Sequence, residues 1–343
     1  MSLIAHNGLP AFYALSSEGA PVQFDPQPLQ PTVRIGLLNI TPDAVLQATE
    51  RQFMRLVADY DAANVYVLPI GVATELRSAA AQAHVLEHYE SFSSLLEMQL
   101  DALIVTGANP KTDAIENEAF WKPMLQVIDW AQDQDCSILF SCLAVHAVMQ
   151  AYFDTHRVLL PEKMWGVYPH QVLDATHPLV EGIADGWAAP HSHCYDISRE
   201  QIENIGGRVL VHSDVAGVHL AVCGPEERLI LFQGHPEYDS NSLLKEYKRE
   251  VSRWFTGERP DYPRYPENYF PAECQVRLEA YREQLENDKL AGLHQTEFPE
   301  ADLANFLENG WMDSGKKAYH NWLRQMHGAN SAAEAATRSV DCR

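Results

Sequence analysis

Short apolar runs separated by segments of helical periodicity constrain this chain more than any other feature. "VRIGLLNI" (33–40), "NVYVLPIGV" (64–72), "ALIVTGANP" (102–110) and "SILFSC" (137–142) are rich in Val, Ile and Leu. Runs apolar on both faces are what strands show when a sheet is covered on both sides. Between them, "DAVLQATERQFMRLVADY" sets Val45, Thr49, Phe53, Leu56 and Val57 near one face of a helix, and "AFWKPMLQVIDWAQDQD" reads as another helix. The alternation predicts a doubly wound α/β domain with a mainly parallel sheet. Ligands of such sheets collect beyond the carboxyl ends of the strands, which is where Ser141-Cys142 falls.

Further on, "RVLVHS" (208–213), "VHLAVCG" (218–224) and "RLILFQGHPEY" (228–238) read as strands and "SNSLLKEYKREVSRWF" (240–255) as a helix. The α/β domain is therefore expected over 33–256, behind an N-terminal extension of residues 1–32. From 257 the text turns Pro- and Tyr-rich ("GERPDYPRYPENYFP") and then polar and helical. This predicts a helical and irregular C-terminal extension, 257–343, packing on the domain, with its last dozen residues disordered.

Composition excludes several classes of partner. The 25 basic against 47 acidic residues leave a formal charge of −22, which repels nucleic acid and anionic membranes. The opening segment lacks the order of a secretory signal, and no apolar run reaches membrane-spanning length, so a cytoplasmic location is expected. Six scattered cysteines without a CxxC pair read as free thiols.

One of those thiols has the context of a nucleophile. At a strand–turn–helix junction the side chain of Cys142 stands at the sheet edge, with helix N–H groups aimed at it. A buried cysteine used as apolar filler has the same local text. "ILFQGHPEY" supplies the base: an apolar strand breaks at Gly234, and His235 and Glu237 follow, completing a Cys, His and acid set suited to covalent acyl chemistry. "PHSHCYD" offers His191, His193 and Cys194, but two further ligands are not nominated, so no metal is expected.

Cys142 after an apolar strand, followed by "GHPEY", resembles the class I glutamine amidotransferase-like (flavodoxin-like) layout. "IGLLNITPDA", "LFSCLAVHAVM", "EKMWGVYPH", "APHSHCYD" and "GHPEYDSNSLLKEYKREV" together resemble the homoserine O-succinyltransferase family over about residues 33–255. The resemblance implies succinyl transfer from succinyl-CoA to L-homoserine in methionine biosynthesis, with Cys142 as nucleophile, His235 as base and acid, and Glu237 as its partner. It also implies substrate contacts at Lys163, Ser192, Glu246 and Arg249, no cofactor beyond the acyl-CoA substrate, and a homodimer. Backbone N–H groups of Leu143 and of Gly107-Ala108 are expected to hold the oxyanion.

Two departures stand out. Asp43-Ala44 replace the lysines typical after the proline of the first strand, and Lys111 stands where the resemblance associates glycine with succinyl and glutamate with acetyl transfer. A lysine there can pair with the free carboxylate of a succinyl group, which a glutamate would repel. Succinyl is the expected donor group; acetyl transfer from acetyl-CoA, or a glutamine amidotransferase-type hydrolysis, are the alternatives.

Overall fold

The computed structural model describes residues 2–24 and 32–340, with side chains described through Met326. The described strands are β1 (Leu3–Ile4), β2 (Val22–Gln23), β3 (Thr32–Leu38), β4 (Asn64–Ile70), β5 (Ala102–Val105), β6 (Ser137–Ser141), β7 (Val158–Val172), β8 (Trp187–Asp196), β9 (Arg208–Ser213), β10 (Gly217–Cys223) and β11 (Leu229–Phe232). They form one sheet in the order β2-β1-β4-β3-β5-β6-β11-β10-β9-β7-β8. Pairing is parallel from β2 through β11 and antiparallel from there to β8.

The parallel half is where the apolar runs predicted it. Val33, Ile35, Leu37, Val65 and Val67 face one core with Phe53, Leu56 and Val57 of the helix Leu46–Val57. The opposite face of the sheet is covered by the helices Trp121–Asp133 and Leu143–Phe153, through Met124, Ile128, Val145 and Val148. Packing on both faces is why these strands lack polar alternation.

The extensions join this body. Leu3 pairs with Val65, and Phe12 and Leu15 of the helix Pro10–Ser17 lie in the same core as β3. Tyr319, Trp322 and Leu323 of the long helix Met312–Val340 enter that core as well. The helix includes most of the stretch expected to be disordered; residues 341–343 lie outside those described. Its "SAAEAATR" text has enough alanine to sustain a helix.

The sequence assigns no strand to residues 158–196, yet β7 and β8 form a long antiparallel hairpin there. Pro161, Pro169 and Pro190 mask it, since proline breaks strand patterns. Gly166 of β7 admits the backbone of Glu267, whose oxygen lies 2.3 Å from the place a Cβ would take. Val167 N–H and Glu267 N–H then bond across, at 2.9 Å to the Glu267 carbonyl and 2.8 Å to that of Trp165.

Candidate active site

Three adjacent parallel strands deliver the site. Ser141 of β6 is in register with Phe232 of β11, and Phe140 with Val105 of β5. Cys142, Gln233-Gly234-His235 and Thr106-Gly107 therefore leave the sheet side by side. Cys142 N–H extends the ladder to the Phe232 carbonyl at 2.7 Å.

Cys142 then reverses the chain. Its φ of 49° and ψ of −108° are far from ordinary L-residue conformations, and it caps the helix Leu143–Phe153. Such a backbone costs about 1–3 kcal/mol and persists where the surroundings over-determine it, as at nucleophile elbows. Seven consecutive buried residues, Leu143 to Met149, anchor the helix that follows. A Cβ placed on Gly107 would lie 3.4 Å from Cys142 Cβ and 3.8 Å from the Leu143 nitrogen, so the Gly107 loop and the helix amino end flank the thiol. Ala108 packs beside them against the core.

His235 is fixed by its own N–H donating to the Pro190 carbonyl at 2.8 Å and by Nδ1–H donating to Glu237 Oε1 at 2.7 Å. Burial disfavours its cation, but the Glu237 carboxylate and the Cys142 sulfur outweigh it and lift the imidazole well above its ordinary value. Tyr238 stacks on the ring at 4.2 Å.

A second group stands beside this one. Glu246 Oε2 accepts from Ser192 Oγ at 2.6 Å and Lys163 Nζ at 3.2 Å, while Oε1 accepts from Tyr238 OH at 3.0 Å. Burial pushes the Glu246 carboxyl up; Lys163, Ser192, His235 and Arg249 reverse this and hold it below the usual range. Lys163 of β7, Ser192 of β8 and Glu246 of the helix Ser242–Phe255, three of the expected substrate contacts, thus converge. Arg249 sits half-exposed on the same helix, its Nε 3.3 Å from Glu250.

Lys111 stands apart. Its backbone N–H donates to Glu118 Oε1 at 2.5 Å and its residue is exposed. The same loop meets a cation that the sequence did not nominate: Arg157 Nη2 donates to the Asp113 carbonyl at 2.9 Å, with the guanidinium 3.8 Å over the Tyr195 ring. At the missing lysines, Asp43 binds Arg77 at 3.0 Å, and Arg77 also donates to the carbonyls of Thr41 and Asn39. Tyr238 was missed as well. The stacking aromatic directly after "GHPE" was its one available signal.

The C-terminal extension reaches this loop. Asn309 Nδ2 and Trp311 Nε1 donate to the Tyr238 carbonyl at 3.1 and 2.8 Å, and Gly315 packs on Pro236.

Residues 2–331 match the family model described as homoserine O-succinyltransferase. The relative of that name from Allochromatium vinosum is 46% identical over 94% of this chain and 92% of its own length. The one from Thiothrix nivea is 44% identical over 95% of this chain and 92% of its own. A solved glutamine amidotransferase from Thermotoga maritima is similar at a TM-score of 0.48 and 13% identity, covering 86% of this chain and 98% of that one. Another solved structure reaches 0.50 at 13% identity, covering 86% and 99%. The second of these shares the α/β fold with its mainly parallel central sheet, and with full-length matches of this quality the chain belongs to the homoserine O-succinyltransferase family.

Proposed function

We propose that this chain transfers a succinyl group from succinyl-CoA to the hydroxyl of L-homoserine, a step of methionine biosynthesis, through an acyl-cysteine on Cys142. The observation that carries the reading is the Cys142 elbow, with His235 and Glu237 delivered beside it by the neighbouring strand. The thiolate attacks the thioester carbon, and the N–H groups of Leu143 and the Gly107-Ala108 loop stabilise the oxyanion. The carbon–sulfur bond to CoA breaks, and the His235 imidazolium returns its proton to the leaving thiolate. The neutral ring then takes the proton of the homoserine hydroxyl, whose oxygen attacks the acyl-cysteine and releases the ester. Glu237 keeps Nδ1 protonated so that Nε2 does this work.

Ionised Glu246 offers its charge to the homoserine ammonium, sharing it with Lys163 and Ser192, and Arg249 offers a planar fork to the carboxylate. Arg157, whose charge interacts with Cys142, and Lys111 on the exposed loop beside it are the cations we assign to a free succinyl carboxylate, which an acetyl group lacks. Among the described residues no helix is long and apolar enough to cross a membrane, and the working form we propose is a cytoplasmic homodimer. Light scattering checks the dimer.

Incubated with succinyl-CoA alone, the wild-type protein is expected to gain the mass of one succinyl group, and Cys142→Ala is not. A covalent adduct on Cys142→Ala sinks the nucleophile assignment. Given homoserine with equal succinyl-CoA and acetyl-CoA, the expected main product is O-succinylhomoserine. A predominant acetyl ester overturns the donor, and glutaminase activity indifferent to homoserine overturns the acceptor.

A further inference from the structure

Behind the catalytic loop lies a group of histidines that acyl transfer does not use. His170 of β7, His191 of β8 and His219 of β10 are buried, and each offers a ring nitrogen within 4.8 Å of the others'. Their tautomers follow from their neighbours. His193 Nδ1 faces the Tyr195 carbonyl at 2.7 Å, and a carbonyl only accepts, so Nδ1 carries the proton and Nε2 a lone pair. His191 Nδ1 meets that lone pair at 3.0 Å and so carries a proton too. His170 Nδ1 meets the Trp187 carbonyl at 3.2 Å and is protonated in the same way. What remains is Nε2 of His170 facing Nε2 of His191 at 3.1 Å, each neutral ring presenting a lone pair.

His219 adds a third. Both of its nitrogens are buried without a hydrogen-bond partner. The neighbouring backbone is Gly234, where a Cβ would lie 2.6 Å from His219 Nδ1, 2.7 Å from His191 Nε2 and 3.0 Å from the Pro190 carbonyl. Glycine leaves that space open. A single shared proton would reconcile His170 with His191 and leave His219 orphaned, whereas a metal ion takes all three lone pairs. In metal sites each ligating imidazole commonly donates its other N–H to a carbonyl or similar acceptor, which His170 and His191 already do.

We propose that His170, His191 and His219 form a trihistidine site for a divalent transition metal of the zinc class. Neutral imidazoles suit zinc, cobalt, nickel and copper better than calcium or magnesium. The ion would tie β7, β8 and β10 together directly behind Gly234, and so brace the loop that carries His235. The sequence nominated the neighbouring His191, His193 and Cys194. The fold keeps His191 as a ligand, turns His193 into its hydrogen-bond support, and brings the other two ligands from separate strands.

The test uses the full-length protein expressed with added zinc or cobalt, then dialysed against metal-free buffer. The expected result is about one metal per chain by elemental analysis, cobalt d–d absorption without thiolate charge-transfer bands, and a higher Tm than the metal-free protein. His219→Gln should lose at least tenfold in retained metal, while His156→Asn, an exposed control, should retain it fully. If His219→Gln does not fold, His170→Gln is measured in its place. Absence of metal in the wild type, equal retention in the ligand variants, or cobalt–thiolate bands would each overturn the site.

Discussion

Gly234 separates two sets of buried histidines in opposite electrical states. On one side His235 has the Glu237 carboxylate at 2.7 Å and the Cys142 sulfur nearby, and its cation is favoured. On the other, burial pulls His170 down to about 4 and holds His191 and His219 well below their ordinary value, with other histidines adding to the effect. Depth is nearly the same in both. The difference is a carboxylate and a thiol, so acid–base capacity in this protein is assigned by partners rather than by burial.

The sharpest way to break the comparison is to remove the sulfur. Cys142→Ala is expected to lower transfer by about 10⁴-fold or more, read as O-succinylhomoserine formed per enzyme. Glu237→Gln comes next, because it makes His235 resemble its neutral neighbours. A loss of about 10²–10⁴ in kcat is expected. The raised imidazole keeps its proton as pH climbs past the ordinary histidine value. Without Glu237 it loses that proton earlier, so the pH profile of iodoacetamide alkylation at Cys142 should move to higher pH. An unmoved profile would mean that Glu237 only positions the ring.

Glu246→Gln should raise the KM for homoserine by about 10–100-fold with a smaller change in kcat, since charge-assisted contacts to the acceptor are lost. Asp196 tests the converse case, a partly buried carboxylate met by an amide instead of a cation. Burial lifts it to about 6, against which Gln233 Nε2 donates at 2.6 Å. Its contribution to stability is full below about pH 4 and is lost as pH rises through 6, a change of about 3 kcal/mol at most. Asp196→Asn should flatten that fall and raise Tm at pH 7. The smallest effect is expected at exposed Lys111: Lys111→Glu should shift donor preference toward acetyl-CoA by about 3- to 10-fold, or about 1 kcal/mol, in a competition assay.

The parallel strands and the Cys142, His235, Glu237 set were legible because each depends on local text: an apolar run, then a break. The hairpin β7–β8 was not, because its prolines sit on strands that also carry the ligands and Lys163. Tyr238, Arg157 and the Arg77–Asp43 pair were hidden for another reason. Their roles come from contacts such as Arg157 to Asp113 and Arg77 to Asn39, between segments distant in sequence that leave no periodicity to read. Glu50 is a further instance, buried on an amphipathic face and bonded to His84 and Tyr89 at 2.7 and 2.6 Å.

Asn309, Trp311 and Gly315 hold the loop bearing His235 and Tyr238, although they come long after it in the chain. During synthesis the nucleophile and its base therefore leave the ribosome before the residues that fix their geometry. Translation of residues 309–315 supplies these contacts only after every reacting group has already been made.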